Sequence, residues 1–390
     1  MSRKKILWLC SWYPDKMEPF NGDFIQRHAA AAALYNDIYV IHLAGDSSLP
    51  TNIEEHITNT AEGMTEHLVY YKKPTSFFKK LRSYYRWAKA THHAIRLYIK
   101  AHGKPDLVHV HVPMVAGLWG GRIKRKYGIP YVITEHWTIY QPQNELKYRQ
   151  QKTLFKSVLR RIIKGSKMLL PVSRDLGLLI NKLVTEKEFT VVENVANEKY
   201  FYYDENKNPG TAFRFLHVSN MTYQKNAEGI IEGFTEFQKK FQEAELVIIG
   251  SVPVEMKQLM EKTGLLDKNI FLRGEISYAA VAGEMQQANA LVMFSRFENS
   301  PCSIIEALCC GLPVIATHVG GIPELLNENN GLLIDSLDKK ALVAAFEKMV
   351  NNYPGYNRKK IAEQATSRFS YPVIGKKLDV IYTTVSAEKN

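Results

Sequence analysis

The chain has 390 residues, 45% hydrophobic and 23% charged, with 51 Lys or Arg against 39 Asp or Glu and a formal net charge of +12. This composition excludes a disordered or fibrous chain and leaves length for two or three domains with sizeable cores. Its four cysteines, Cys10, Cys302, Cys309 and Cys310, make no C-x-x-C pair and no metal-ligand spacing with histidine, so neither a disulfide scaffold nor a zinc module is indicated, and a reducing cytoplasm fits.

Met1 to Cys10 is basic and then apolar, like a signal peptide, but Ser11-Trp-Tyr-Pro-Asp breaks the apolar part too early. Ile6 to Cys10 therefore reads as a first strand. Asn21-Gly22 predicts a tight turn with positive φ, and a helix follows from about Ile25. Asp37 to Leu43 and Leu68 to Tyr71 read as the second and third strands. No G-x-G-x-x-G follows the first strand, which disfavours a nicotinamide enzyme.

Residues 72–100 hold nine Lys or Arg and no acid. From Ser76 onward the segment reads as a helix, with Phe77, Leu81, Tyr84, Tyr85, Ala88 and Ile95 near one stripe. It is either an interfacial surface for anionic lipid or a crossover helix with a solvated basic face. Nucleic acid is a third reading, unsupported by any motif. The strand from Asp106 places His109 and His111 on one face. Two histidines at that spacing could ligate a metal, but no third ligand stands out, so they are cleft-wall or core residues. Pro130 to Thr134 is the fifth strand, followed by Glu135-His136-Trp137. Residues 146–167 hold eight Lys or Arg and no acid, and Leu154, Val158, Leu159, Ile162 and Ile163 make a helical apolar face. Met168 to Ser173 and Thr190 to Glu193 read as the sixth and seventh strands.

Residues 202–212 read as a linker between a first domain at 1–201 and a second at 213–368, with 369–390 a closing helix that packs back on the first. Residues 1–200 carry 31 basic and 17 acidic side chains, and residues 201–390 carry 20 and 22, so the two halves face different partners. In the second half, Phe213–Ser219, Glu245–Gly250 and Ile270–Gly274 read as strands.

The most informative stretch is 290–326. Ala290 to Phe294 has the length of a strand buried on both faces of a parallel sheet. A polar loop then carries Glu298. Ser303-Ile-Ile-Glu306 opens a helix that Gly311 closes, and Pro313 to Thr317 is the next strand. Gly320-Gly321-Ile322-Pro323 leads into another helix. Ligands of such sheets bind beyond the carboxyl ends of the strands, where both helix N-termini would offer amides to phosphate. Carboxylates suit sugar hydroxyls better than phosphate, so amides together with Glu298 and Glu306 fit a nucleotide-sugar. A capping box of Ser303 with Glu306, and a solvated Glu298, is the competing reading.

Glu298 and Glu306 are separated by seven residues. They lie within Arg296-Phe297-Glu298 and Glu306-Ala-Leu-x-x-Gly-Leu-Pro-Val-Ile-Ala-Thr-x-x-Gly-Gly. This resembles the E-x7-E signature of family 4 of the retaining glycosyltransferases, which have the GT-B fold. The resemblance implies an α/β chain of two Rossmann-like doubly wound domains facing a central cleft. It implies transfer of a sugar from a nucleotide diphosphate to a hydroxyl, with no metal and no other cofactor. A UDP-sugar is expected ahead of a GDP-sugar.

Carried over position by position, the resemblance gives Gly22 close approach to the donor diphosphate and His136 contact with the donor sugar. Asn220-Met-Thr-Tyr-Gln-Lys225 stands where the family has Gly-Arg-Leu-x-x-x-Lys. Lys225 would thus stabilise the diphosphate, while Asn220 replaces the usual Arg and leaves one cation where two are normal. Glu193-Asn194 stands at the family's Pro-Asn. Glu298 would hold the donor sugar and Glu306 the ribose hydroxyls. Ser300, Pro301, Cys302 and Ser303 would bind the donor, with the amides at the start of the 303 helix on its diphosphate, and the loop around Ile276 would hold the base. The basic first half suits a glycan or lipid-linked glycan acceptor at the inner face of the cytoplasmic membrane, in surface polysaccharide synthesis. Nucleic acid is not an expected partner. Two alternatives stand: a nucleotide-sugar isomerase or epimerase on the same fold, which would turn over donor alone, and a non-catalytic nucleotide-sugar-binding protein, which would turn over nothing.

Overall fold

The computed structural model describes residues 3–61, 63–74, 79–144, 146–207 and 210–387. Strands β1 (Lys5–Cys10), β2 (Asp37–Asp46), β3 (Ile53–Ala61), β4 (Met64–Lys72), β5 (Leu107–His111), β6 (Tyr131–Glu135) and β7 (Met168–Pro171) pair in the order β3-β4-β2-β1-β5-β6-β7. All pairs are parallel except β3 with β4. The short apolar runs of β1, β5 and β6 are buried along nearly their whole length, as strands covered on both faces must be. Helices α1 (Asp23–Ala33), α2 (Lys79–His102), α3 (Pro113–Tyr127), α4 (Thr153–Gly165) and α5 (Arg174–Leu183) accompany this sheet.

The second sheet contains β8 (Arg214–Val218), β9 (Glu245–Ile249), β10 (Ile270–Gly274), β11 (Ala290–Met293), β12 (Val314–Thr317) and β13 (Gly331–Ile334), in the order β10-β9-β8-β11-β12-β13. Its helices are α6 (Ala227–Gln238), α7 (Val254–Thr263), α8 (Tyr278–Gln287), α9 (Cys302–Cys309), α10 (Lys339–Asn352) and α11 (Arg358–Phe369). The last helix, α12 (Tyr371–Ala387), packs on α1 of the first sheet, and Leu378, Ile381 and Tyr382 are buried there. Strand order reverses between β1 and β5 in one sheet and between β8 and β11 in the other. The loops leaving these four strands open crevices at the carboxyl ends of the sheets.

Several expectations need correction. Thr190–Glu193 is not a strand. It lies along β7 through two spaced hydrogen bonds, Thr190 N–H to Leu169 and Val192 N–H to Pro171, which is too sparse for a ladder. The segment after Gly321 forms one 3-10 turn, Ile322–Glu324, rather than a helix. Helix α9 begins at Cys302 with Pro301 as its N-cap, and no side chain caps it, so Ser303 and Glu306 form no capping box. The hairpin strand β3 and the strand β13 were not anticipated. In α2, which begins at Lys79, the N-terminal half leaves Leu81, Tyr84 and Tyr85 exposed, whereas Ala90, Ala94, Ile95 and Tyr98 pack on the sheet. The stripe that includes Phe77 is therefore split between surface and core, and Ser76 and Phe77 lie outside the described residues.

Gly375 of α12 sits where an added Cβ would lie 2.1 Å from the Ala31 carbonyl oxygen. Gly375→Ala gains up to about 1 kcal/mol of helix propensity, but it drives a methyl into backbone that has no easy way to yield, and overpacking of this kind costs about 1–3 kcal/mol. The clash should win, and the midpoint of urea unfolding should fall.

Candidate functional site

The loop after β8 turns through Tyr223–Lys225 into α6, with Asn226 at φ 51° as its left-handed N-cap. The loop after β11 locks onto it. Arg296 donates its backbone N–H to the Gln224 carbonyl at 2.8 Å and its guanidinium to the Tyr223 carbonyl at 2.7 Å, and it pairs with Glu228. This fixes Glu298 against Lys225. The Lys225 ammonium meets one carboxylate oxygen at 2.6 Å, where Ser295 also donates at 2.9 Å, and Gln224 donates to the other at 2.9 Å. Glu298 is 4% exposed, and this set of donors satisfies both of its buried oxygens.

Glu306 sits one turn into α9, also buried. It accepts from the Tyr278 hydroxyl at 2.9 Å and lies 3.7 Å from the Arg27 guanidinium, which comes from α1 of the first domain. Burial raises the pKa of its carboxyl, with Arg27 and Tyr278 opposing. Arg27 also pairs with Asp23 at 2.8 Å and lies over the Tyr278 ring at 4.8 Å. With no side chain capping α9, the first-turn amides of Cys302 and Ser303 face an open approach. Cys302 lines the same space, but burial pushes its thiol up to about 12, so it is not a reactive nucleophile.

From the first domain comes His136, in the turn after β6. Glu135 organises that turn: its carboxylate accepts from the His136 and Trp137 amides at 2.8 and 2.9 Å and from the Tyr140 hydroxyl at 2.7 Å. Burial pushes the Glu135 pKa up to about 7, against these three donors. Among the described residues the His136 ring has no hydrogen-bond partner on either nitrogen, and burial, reinforced by His28 and His109, keeps it neutral. His136, Asn220, Lys225, Ile276, Glu298, Ser300, Pro301, Cys302, Ser303 and Glu306 all line one interdomain cleft of about 800 Å3.

Gly22 is not itself among these lining residues, but Phe20 and Asp23 on either side of it are. It is the N-cap of α1 at φ 72°, and a Cβ there would meet the Trp12 carbonyl carbon at 2.7 Å, so its local role is to let the turn pack on the loop after β1. Gly320 and Gly321 also differ from expectation. They let their loop press on the carbonyls of Glu298 and Asn299 and on Ser173, so this loop is a domain contact rather than a second phosphate-facing helix start. His109 and His111 lie in the core behind the cleft. His109 bonds Tyr382 and Thr134, each at 2.7 Å. Arg27, Tyr278, Gln224 and Gln141 were not singled out from the sequence. Each lies on a helix or loop whose neighbours across the cleft no local pattern announces.

The model for glycosyltransferase family 4 matches residues 28–198, and the model for glycosyl transferases group 1 matches residues 201–368. The chain belongs to the GT-B glycosyltransferases. A relative over most of the length is the putative teichuronic acid biosynthesis glycosyltransferase TuaC of Bacillus subtilis, 24% identical across 87% of this chain and 88% of its own. The transferase shares its fold with a sucrose-phosphate synthase from Thermosynechococcus elongatus, with TM-score 0.79, 19% identity, and 99% and 100% of the two chains covered. It also shares it with Anabaena HepE, solved in complex with UDP, with TM-score 0.72, 14% identity, and 97% and 100% covered.

Lys225→Met leaves Glu298 buried without its cation and should cost about 3–5 kcal/mol. The double variant with Glu298→Gln should lose less than the sum of the two single changes, with a coupling of about 1–3 kcal/mol in chemical denaturation.

Burial holds His28 and His217 at about 4 and His109, His111 and His136 well below the ordinary value. The unfolded chain takes up these protons first, so stability should fall as pH drops from about 6.5 toward 4. His28 alone accounts for on the order of 3 kcal/mol. Glu135 works in the opposite sense, since its folded pKa is raised: its contribution is full below about 4.5 and lost as pH rises toward 7. Melting temperatures across pH 4–8 should therefore show a steep acid limb, and His28→Asn should blunt it.

Proposed function

We propose that the enzyme transfers a sugar, with retention, from a UDP-sugar to a hydroxyl of a lipid-linked glycan, at the inner face of the cytoplasmic membrane and in surface polysaccharide assembly. The observation that carries this reading is the convergence, in one cleft, of an ammonium, an uncapped helix N-terminus and two buried carboxylates. The cation and amides suit a diphosphate, and the carboxylates suit hydroxyls. The UDP-bound state of HepE and the biosynthetic role in the name of TuaC support the donor and pathway parts of the proposal.

In this reading the β-phosphate sits at the first turn of α9, with Lys225 beside it. Lys225 has three donors, so its bond to Glu298 leaves two for phosphate oxygens. Glu306 takes the ribose hydroxyls, the loop around Ile276 the base, and Glu298 the donor sugar. Neutral His136 offers a ring nitrogen to a sugar hydroxyl. The acceptor oxygen attacks the anomeric carbon on the face from which the diphosphate leaves. The carbon–oxygen bond to phosphate breaks, and the acceptor proton passes to the departing phosphate oxygen. Lys225 and the helix amides stabilise the charge that develops there. The sequence contains no Asp-x-Asp, so the reading assigns that task to the protein rather than to a metal.

A thermal-shift panel of UDP, GDP, ADP, CMP and NAD tests the donor assignment. UDP at about a hundred times its dissociation constant should stabilise the protein by roughly 2.7 kcal/mol. Glu306→Ala should abolish that shift. A response to NAD alone, or to no nucleotide, would overturn the proposal.

A further inference from the structure

A second cavity, of about 660 Å3, lies in the first domain and belongs to none of the machinery above. Four tryptophans line it: Trp12 from the loop after β1, Trp87 from α2, Trp119 from α3 and Trp137 from the turn after β6. They meet in pairs, Trp12 with Trp137 at 6.0 Å between ring centroids and Trp87 with Trp119 at 6.4 Å. Met114 and Tyr84 add apolar wall, and Lys73 and Lys80 stand among the lining residues. Cavities of this volume with aromatic walls and few polar groups are of the size and character that take small apolar ligands.

Three observations point to a particular occupant. The first is charge: α2 carries no acidic residue against basic ones that include Lys80, Arg82, Arg86 and Lys89, and α4 is likewise without acid. The second is exposed apolar surface beside that charge. Leu81 of α2 is 71% exposed and Leu154 of α4 76%, and α4 reaches the cavity wall through Phe155, 6.2 Å from Trp137. The third is strain: Val112 and Val115, both in the wall, hold φ values of 57° and 82°, a region that β-branched residues rarely adopt and that is kept only where surrounding structure enforces it. Position then links the cavity to the cleft. His136 lines the donor cleft and Trp137 the apolar cavity, and consecutive Cα atoms are only about 3.8 Å apart.

We propose that this cavity is the acceptor's aglycone subsite and takes a single hydrocarbon chain of a lipid with an anionic headgroup, anchoring it beside the reacting centre. The inference rests on the transferase reading above, and it deepens that reading by giving the acceptor lipid a place in the fold. The basic rim attracts the headgroup, the exposed Leu and Tyr residues meet the lipid surface, and the tryptophans hold the chain.

The probes are methyl, hexyl and octyl phosphate, with octyl glucoside as a neutral control, all below their micelle concentrations. Saturating UDP occupies the diphosphate site throughout. Octyl phosphate should bind at least tenfold more tightly than methyl phosphate. A bromo-octyl phosphate should quench most of the tryptophan emission, because four of the five tryptophans line the cavity. Octyl glucoside should bind more weakly than octyl phosphate at low salt, and the gap should close at high salt. Ser83→Phe, which fills the cavity from α2, should weaken octyl phosphate at least tenfold and keep the UDP thermal shift, which doubles as a check of folding.

Affinity independent of chain length, or bromine quenching unchanged in Ser83→Phe, would overturn the subsite. Equal binding of glucoside and phosphate at low salt would overturn the anionic headgroup. Loss of the UDP response in wild type would instead overturn the donor reading, so the two failures are distinguishable.

Discussion

The site depends on a polar seam that ties the loop carrying Glu298 to the first domain. Asn299 donates to the His136 carbonyl at 2.9 Å and accepts from the Gln141 amide at 3.0 Å. The same amide lies 3.1 Å from the Glu298 carbonyl and 2.8 Å from Asp175. Asn194 donates to the Ser300 carbonyl at 2.6 Å. Glu324 accepts the Arg174 and Asp175 amides at 2.8 and 2.9 Å, and so caps α5 from across the cleft. Leaving a buried group of this kind unpaired costs about 1–3 kcal/mol. These bonds therefore fix where His136 stands relative to Glu298, and one shift in the 298–300 loop moves both. A seam of hydrogen bonds, unlike one of packed side chains, can re-form with water when it opens, which is the behaviour of contacts between domains that move.

Three buried carboxylates around this seam are kept by three different means. Glu298 faces a cation of its own domain, Lys225. Glu306 faces a cation of the other domain, Arg27, at a looser 3.7 Å, and its pKa stays raised. Glu135 has no cation among the groups that hold it and relies on two amides and a phenol, which leave its pKa near 7. The gradation follows the task each can perform. An acceptor held by donors of its own domain stands at Glu298 without movement of the first domain, whereas the environment of Glu306 changes whenever Arg27 moves with its domain. Glu135 points its oxygens into the backbone that bears His136 and acts as a support for it.

Much of the fold was legible because parallel strands buried on both faces announce themselves as short apolar runs, and because the 290–326 stretch concentrates a strand, a helix start and two carboxylates. The same logic explains the misses. Thr190–Glu193 has strand composition, but an edge position with only alternate hydrogen bonds, which is a tertiary outcome. Gly320-Gly321 reads as a phosphate loop, but the carbonyls of Glu298 and Asn299 from its own domain and Ser173 from the other occupy the space that the missing Cβ atoms leave. Arg27 and Tyr278 reach Glu306 from opposite domains, 279 and 28 positions away in sequence. No local pattern carries such a pairing. Gly22 was legible as a turn residue, and the close approach of that turn to the Trp12 carbonyl was not.

The histidines behind the cleft show how the core constrains the site. Trp8 stacks on His111 at 4.0 Å, His111 lies 4.1 Å from His109 and 5.9 Å from His136, and His28 closes the group 5.6 Å from His136. Flat rings fill the space between sheet and cleft as aromatic residues would, yet each carries two nitrogens. His109 spends both on Tyr382 and Thr134, which joins α12 to β5 and β6. His28 holds the Glu193 carbonyl at 3.0 Å, and Glu193 in turn pairs with Lys377 of α12 at 2.8 Å. The closing helix is thus tied by polar bonds to the strand ends that carry the His136 turn, over and above its apolar face. Burial requires each of these rings to stay neutral, and for His109, His111 and His136 the neighbouring imidazoles reinforce that requirement. That requirement makes His136 a neutral hydrogen-bonding group by virtue of the core behind it, before any ligand enters the cleft.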